Sequence, residues 1–238
     1  MQKNRDPYTA PASELGGEPR ASGGSLDQAM TQDMGWRVGD VMGEAWQLVS
    51  GFKGSYWAAL LMYMLIAAGM TFVTGLFGGD SALLRFVGEM IAYLVTLPLF
   101  AGIYVLAIHR AAGRDVSWND ILGYFDRMLP LFLLFVAVGV LTMVGFIFLI
   151  LPGIYLMIAY LFAMPLMVEK NLSLWDAMEA SRKSITRCWF RFFGLSLLIF
   201  LVLIVSTIPL GIGLIWSVPW AGLCFGVVYR EMYGVEQG

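Results

Sequence analysis

The feature that most constrains the fold is a run of 40 consecutive residues, 129–168, that contains no charged side chain. A transmembrane helix needs about 20 mostly apolar residues, so this run is about twice as long as a single span. Near its midpoint lies the motif LILPG, where Pro152 and Gly153 can end one helix and begin the next. The run therefore predicts a helical hairpin inside a membrane.

A second uncharged run, residues 192–229, is interrupted at IPLGIG, and two single-length apolar segments precede both runs. The composition agrees, because 59% of the residues are hydrophobic and only 13% are charged, about half the charged share of a globular domain. We therefore predict an all-α polytopic membrane helix bundle. Its six transmembrane helices are expected at about residues 55–77, 86–108, 129–150, 153–168, 192–208 and 212–229.

The lysines and arginines predict the orientation of this bundle. If successive spans alternate in direction, 14 of the 15 Lys and Arg residues fall on one side of the membrane, and only Arg85 falls on the other. Short loops rich in Lys and Arg stay in the cytoplasm. Both termini are therefore expected to be cytoplasmic. Residues 36–234 would form the multi-pass domain, and the Gly-, Pro- and Ser-rich residues 1–35 a disordered cytoplasmic tail.

Internal similarity predicts a threefold pseudo-repeat. GIYVLAIHR at 102–110, GIYLMIAYL at 153–161 and GLCFGVVYR at 222–230 align on their first glycine, each just after a proline. Before the odd-numbered spans, VSWNDIL and LSLWDAM share a Ser-x-x-Asp pattern that can form a capping box, and GDVM at 39–42 is a weaker first copy. Each unit is predicted to be a short cytoplasmic amphipathic helix, an outward span, a hairpin and an inward span.

The only histidine, His109, ends the second span, and its counterparts in the repeat are Tyr160 and Tyr229. Amphipathic rings at such positions favour the membrane interface, so we expect His109 to be an interfacial side chain rather than a ligand. No second histidine or cysteine–carboxylate cluster accompanies it, and no catalytic Ser-His-Asp set or phosphate-binding glycine loop is present. The sequence thus predicts no catalytic residues, no metal, no cofactor and no enzyme activity.

Residues 172–193 have the pattern of an amphipathic helix, with Met178, Ser181, Ile185, Cys188 and Phe192 on one face and basic residues on the other. Such helices lie on anionic leaflets, although this one could equally serve only to close the cytoplasmic face of the bundle. A net charge of −2 argues against a nucleic-acid partner. The candidate residues for contact with anionic lipid or a protein partner are Arg110, Arg182, Lys183, Arg187, Arg191 and Arg230.

Arg85 and Glu89 are the charged pair nearest to the interior of a span. Residues four apart share one face of a helix and can form an ion pair. Because Glu89 lies within one turn of the outer boundary, we expect an ion pair at the edge of the membrane.

The block LILPGIYLMIAYLFAMPLMVEKNLSLWDAMEASRKSITRCWFRFFG, 149–194, resembles a broad group of bacterial inner-membrane proteins. The group includes YciC-like proteins and the membrane domain fused to some glycerophosphodiester phosphodiesterases. The LPGIY turn and the following EKNLS-x-W-x-A-M-x-A-S-R carry the likeness, which extends loosely over residues 36–234. The resemblance implies a bacterial cytoplasmic membrane and six helices. It transfers no activity, because this chain lacks the soluble phosphodiesterase domain.

These observations favour a non-enzymatic integral inner-membrane protein, structural or accessory, that contacts anionic lipid or a protein partner through its cytoplasmic helices. The alternative is a small-molecule or lipid transporter with a path between the repeats. Polar residues that converge on a cavity at membrane depth would favour this alternative.

If the basic helix binds anionic headgroups, replacing Arg182, Lys183, Arg187 and Arg191 together by glutamine should reduce the anionic lipid that co-purifies with the protein. Native mass spectrometry after release from a mild detergent measures the retained lipid. Unchanged retention would refute the predicted headgroup contact.

Overall fold

The structure is a computed structural model that describes residues 23–79 and 81–235. Within these residues every regular element is a helix. In chain order the elements are α1 (Leu26–Thr31), α2 (Val38–Leu48), α3 (Lys53–Gly78), α4 (Ala82–Ala111), a 3₁₀ helix (Trp118–Arg127), α5 (Met128–Phe148), α6 (Ile150–Ala159), α7 (Ala163–Glu169), α8 (Leu174–Arg187), α9 (Trp189–Thr207) and α10 (Leu214–Tyr233).

Five helical segments are long and apolar enough to cross a membrane, which marks the chain as a membrane protein. They are Lys53–Phe77, Ala82–Ala111, Trp118–Phe148, Ile150–Glu169 and Trp189–Thr207, and they coincide with the first five predicted spans. The predicted sixth span falls on α10, which has 20 residues but carries Arg230 and Glu231 near its end and is not among the five.

Two boundaries differ from the prediction. The hairpin turns at the extended residue Leu149, so Pro152 lies in the first turn of α6. Proline is tolerated there, because the N–H groups of the first turn have no acceptor within the helix. Gly153 serves packing instead, because a Cβ there would lie 2.3 Å from the ring of Phe146 in α5. The predicted fourth span, 153–168, is also not one helix, since a turn at residues 160–162 separates α6 from α7.

The predicted disordered tail needs a partial correction. Residues 1–22 lie outside the described part of the chain, but residues 23–35 include the capped helix α1, whose N-cap is Ser25. Helix α1 packs against α8 and α10, and Gly24 N–H donates to the carbonyl of Glu231 at 2.9 Å. This segment is therefore ordered by contacts with residues far away in the sequence.

Helix α4 is the centre of the bundle and contacts α2, α3, α5, α7, α10 and the 3₁₀ helix. Small residues allow these close approaches. A Cβ on Gly102 would lie 2.6 Å from the Cα of Ile121, and one on Gly226 would lie 2.5 Å from the carbonyl oxygen of Ala107. The second half of α4 is consequently buried, whereas α3 exposes most of its apolar surface.

Charged side chains pair where α4, α7 and α10 end, and we call this end of the bundle the polar end. The 3₁₀ helix and α2 both contact α4, and α8 packs along α6 and α7. The predicted pairing of Ser117 with Asp120 is confirmed, because Ser117 N–H donates to Asp120 Oδ2 at 2.8 Å. The Oγ of Ser173 similarly accepts from the N–H of Asp176 at 3.3 Å, at the start of α8. Both short helices therefore begin where the Ser-x-x-Asp pattern indicates.

A buried arginine joins three helices at the polar end. The guanidinium of Arg230 in α10 donates to both carboxylate oxygens of Glu44 in α2, at 2.7 and 3.0 Å. It also donates to the carbonyl of Ala111, at the negative end of the α4 dipole, at 2.5 Å, and to Glu231 at 2.6 Å. Only 7% of the Arg230 side chain is exposed. The predicted lipid contact of Arg230 is therefore wrong, because its side chain is buried and both of its Nη groups donate to other parts of the chain.

Replacing Arg230 by alanine should lower the free energy of unfolding by about 2–4 kcal/mol, since Glu44 and the Ala111 carbonyl lose their shared donor. Denaturant titration of the detergent-solubilised protein measures this loss. The matched control is Arg37→Ala, at an exposed arginine preceding α2, for which we expect a change within about 0.5 kcal/mol. Equal effects of the two substitutions would contradict the structural role of Arg230.

Candidate functional site

A cleft of about 570 Å³ lies between α4, α5 and the α6–α7 segment. Helix α5 contributes one face, from Leu134 to Phe146, through residues spaced by three and four positions. Phe135, Met143 and Phe146 are also exposed on the outside of the bundle. The cleft therefore opens on the surface of the membrane-spanning region and is not an enclosed void.

The opposite wall of the cleft contains the break in the fourth span. Helix α6 ends at Ala159 and α7 begins at Ala163, and the intervening Tyr160 and Leu161 both line the cleft. Pro165 sustains the break, because it has no N–H to donate to the carbonyl of Leu161. Backbone that departs from helical geometry at membrane depth is tolerated where it is buried in protein or lines a cavity.

Ser181 of α8 supplies the hydrogen bonds that the break removes. Its Oγ donates to the carbonyl of Ala159 at 2.8 Å and accepts from the N–H of Phe162 at 3.2 Å. The side chain is fully buried. One hydroxyl thus satisfies a backbone acceptor before the break and a backbone donor after it, and so holds α6 and α7 in their bent arrangement.

The cleft is mostly apolar, and its lining includes three residues that carry a hydroxyl group. The Oγ1 of Thr142 is buried, and within the described residues it has no hydrogen-bond partner. Tyr104 and Tyr160 also contribute to the lining. A mostly apolar cavity with a small number of polar groups is the usual composition of a ligand site.

Two smaller cavities adjoin the cleft. One, of about 250 Å³, lies between α3, α4, α9 and α10 and includes Tyr56, Tyr63 and Tyr104 in its lining. The other, of about 220 Å³, lies between α3, α4, α5 and α7. Phe100 of α4 lines the cleft and both smaller cavities.

His109 is paired at the polar end of this region. Its Nε2 lies 3.0 Å from Oε2 of Glu169, the last residue of α7, and 3.4 Å from Nη1 of Arg114. Arg127 additionally donates to the carbonyl of Met167 at 2.9 Å. Both contacts therefore hold the C-terminal end of α7. The sequence analysis missed Glu169, although this residue directly follows the 40-residue uncharged run and so belongs to the same end of the bundle as His109.

Most of the basic residues predicted to bind lipid instead contact their own chain. Arg187 donates to the carbonyl of Met30 at 2.8 Å, and Arg110 donates to that of Ser50 at 3.1 Å. Arg191 pairs with the carboxylate of Asp33 and donates to the carbonyl of Trp36 at 3.1 Å. Arg110 thereby joins α4 to the connection between α2 and α3. Arg187 and Arg191 join the α8–α9 region to residues 30–36.

The remaining two, Arg182 and Lys183, lie on α8. Arg182 is half-buried and Lys183 is exposed. Lys183 pairs with Glu179 at 2.7 Å, and its hydrogen bond lowers the pKa of the Glu179 carboxyl. Exposed pairs of this kind contribute little to stability, so Lys183 can exchange this partner readily.

The apolar face predicted for residues 172–193 is buried at all five positions, including Met178, Ile185 and Phe192. The segment is, however, two helices, because α8 ends at Arg187 and α9 begins after Cys188. Burial raises the pKa of the Cys188 thiol to about 11, which keeps it protonated at neutral pH. This face therefore packs against the bundle rather than against lipid.

The predicted ion pair between Arg85 and Glu89 is wrong. Arg85 Nε donates to the carbonyl of Gly79 at 2.8 Å, and within the described residues it forms no ion pair with Glu89, which is exposed. Gly79 follows the end of α3, where carbonyl groups lack helical donors. The Nε–H of Arg85 therefore donates to the Gly79 carbonyl rather than to the Glu89 carboxylate one turn further along α4.

No family model matches this chain, and comparisons with curated proteins and with solved structures find no match. Across residues 23–79 and 81–235, no three His, Cys, Asp or Glu side chains are grouped so that they could hold a metal ion. The cleft and its bent wall are therefore the features from which a function is inferred.

Replacing Ser181 by alanine should leave the N–H of Phe162 and the carbonyl of Ala159 unpaired in a buried site. We expect a loss of about 1–3 kcal/mol in the free energy of unfolding, measured by denaturant titration. Thr31→Ala, at an exposed residue whose hydroxyl donates to carbonyl groups of its own helix α1, is the control and should change stability much less. If both variants were equally stable, Ser181 would not be what supports the break.

Proposed function

We propose that this protein is a non-enzymatic integral membrane protein that takes up an acyl chain of a membrane lipid in the cleft beside the break. The observation that carries the proposal is the cleft itself, which is open to the surroundings of the bundle and is walled by a discontinuous helix. Its lining is mostly apolar and includes the hydroxyl-bearing residues Tyr104, Thr142 and Tyr160.

The dimensions of the cleft favour an acyl chain as the occupant. Leu134 and Phe146 mark its extent on α5, and a rise of 1.5 Å per residue separates them by about 18 Å. One leaflet contributes about 15 Å to a hydrocarbon core of about 30 Å. A single extended chain can therefore lie along this face while its headgroup remains at the membrane surface.

The break supports uptake of a ligand over a purely structural role. Discontinuous helices with backbone groups at membrane depth are typical of substrate sites in transporters. A transport path is the second candidate function, and the specific observation in its favour is that smaller cavities continue beyond Phe100 on the other side of the cleft. The predicted accessory role through the basic helix has less support, because Arg187 and Arg191 are bound to residues 30–36.

The proposed topology has α10 as a sixth span and both termini in the cytoplasm. Its 20 residues correspond to about 30 Å, enough to cross the hydrocarbon core, and it packs along α4. A short helix and two longer helical segments recur three times in chain order, in agreement with three repeat units. The distribution of Lys and Arg supports a cytoplasmic polar end, and the resemblance of residues 149–194 supports a bacterial inner membrane.

The test is to block the cleft without disturbing the backbone. A Cβ on Gly139, which lines the cleft, would have no neighbour within 4 Å, and the same holds for Gly69 on the exposed surface of α3. Gly139→Trp should therefore fill the cleft, and Gly69→Trp is the matched control. Both proteins and the wild type are reconstituted with phosphatidylglycerol that carries a photoactivatable diazirine on one acyl chain.

Peptide mass spectrometry then maps the crosslinks. In the wild type and in Gly69→Trp we expect labelling concentrated on residues 134–146 and 160–164, well above that of the exposed α3 surface. Gly139→Trp should reduce this labelling about 10-fold, since its side chain occupies the space of the chain. Uniform labelling of the α3 and α5 surfaces, unchanged by Gly139→Trp, would disprove the proposal.

A further inference from the structure

We propose that Phe100 limits the length of the acyl chain that the cleft accepts, because its ring separates the cleft from a second chamber. The inference rests on the proposed function and adds a residue that determines specificity. The second chamber is the cavity of about 250 Å³ between α3, α4, α9 and α10.

Phe100 occupies the junction of the three cavities. It is the residue common to the linings of the cleft, the second chamber and the 220 Å³ cavity. Its ring packs on the ring of Tyr104 at a centroid distance of 5.3 Å and on that of Tyr63 at 6.0 Å. A chain that enters along α5 therefore ends against an aromatic partition, beyond which space continues.

The Phe100 ring belongs to the cavity walls and not to the core. Its neighbours Leu99 and Ala101 are fully buried, whereas Phe100 is 38% exposed. Truncating Phe100 should consequently open the partition while α4 keeps its packing. The second chamber is lined mostly by apolar side chains, among them Leu60, Ile103 and Leu203, so it can receive additional methylene groups.

The opened partition predicts a change in chain-length preference. In the wild type, a chain longer than the cleft meets the Phe100 ring, so its last carbons have to fold back or leave the cleft. In Phe100→Ala these carbons would enter the second chamber, so longer chains should be accepted without this steric conflict. Because the competing chain is already surrounded by hydrocarbon in the bilayer, the change should appear in the length limit rather than in a gain of affinity for each methylene.

The experiment uses the full chain in lipid nanodiscs. Lysophosphatidylglycerols with saturated chains of 12 to 20 carbons compete with the photoactivatable phosphatidylglycerol for labelling of residues 134–146. For the wild type we expect competition to weaken once the chain exceeds an intermediate length, because the longer chains conflict with the Phe100 ring. Phe100→Ala should move this limit by at least two carbons, and Phe100→Leu should move it less. Phe200→Ala removes an equally large ring from the exposed surface of α9 and should leave the limit unchanged.

The outcomes separate this inference from the function on which it rests. If the wild type labels its cleft but all four proteins share one length limit, Phe100 is not the partition and the inference is wrong. If the wild type shows no cleft-specific labelling, the proposed function fails and the inference fails with it. Phe100→Leu keeps the test valid should Phe100→Ala lose its fold, which denaturant titration detects.

Discussion

The constraint on which the rest of the structure depends is that hydrocarbon offers no hydrogen bonds to a polypeptide backbone. Uninterrupted helices meet this requirement along most of the chain. The turn at residues 160–162 does not, and the hydroxyl of Ser181 restores the missing bonds from a neighbouring helix. The bent wall of the cleft therefore depends on the position of α8, which in turn packs against α7 and α1. One side chain of α8 therefore links this helix to the break in the candidate span Ile150–Glu169.

Several charged side chains of the bundle are likewise paired with other groups of the protein. The two Nη groups of Arg230 donate to groups of α2, α4 and α10, and His109 pairs with Glu169 where α4 and α7 end. Both groups lie at the polar end, so the bundle is joined by polar contacts there and by apolar packing elsewhere. The cleft, in contrast, contains hydroxyl groups and no charge in its lining. Such a site suits a hydrocarbon chain better than an ion, whose desolvation it could not offset.

The sequence analysis located the first five spans, because long apolar runs are visible without knowledge of tertiary contacts. It also located the starts of the 3₁₀ helix and α8, since a capping pattern is local. It missed the break at residues 160–162, which is apolar on both sides and leaves the hydropathy unchanged. Pro165 was the only local signal of the break. The partners of Arg187 and Arg191 were beyond reach for another reason, because they lie about 155 residues away in the chain.

The sequence by itself determined that this chain forms segments long and apolar enough to cross a membrane, since a helix satisfies the backbone hydrogen bonds of a 40-residue uncharged run within the segment itself. Only the tertiary structure decided which basic side chains are bound to other parts of the chain, because residues far apart in the sequence pair when the fold brings them close together. It also decided where a cleft exists, since a cavity is a property of how several helices fit together. Gly139 and Phe100 are examples, because neither is distinctive in the sequence. Only the structure shows that both line the cleft and that a Cβ on Gly139 would have no neighbour within 4 Å.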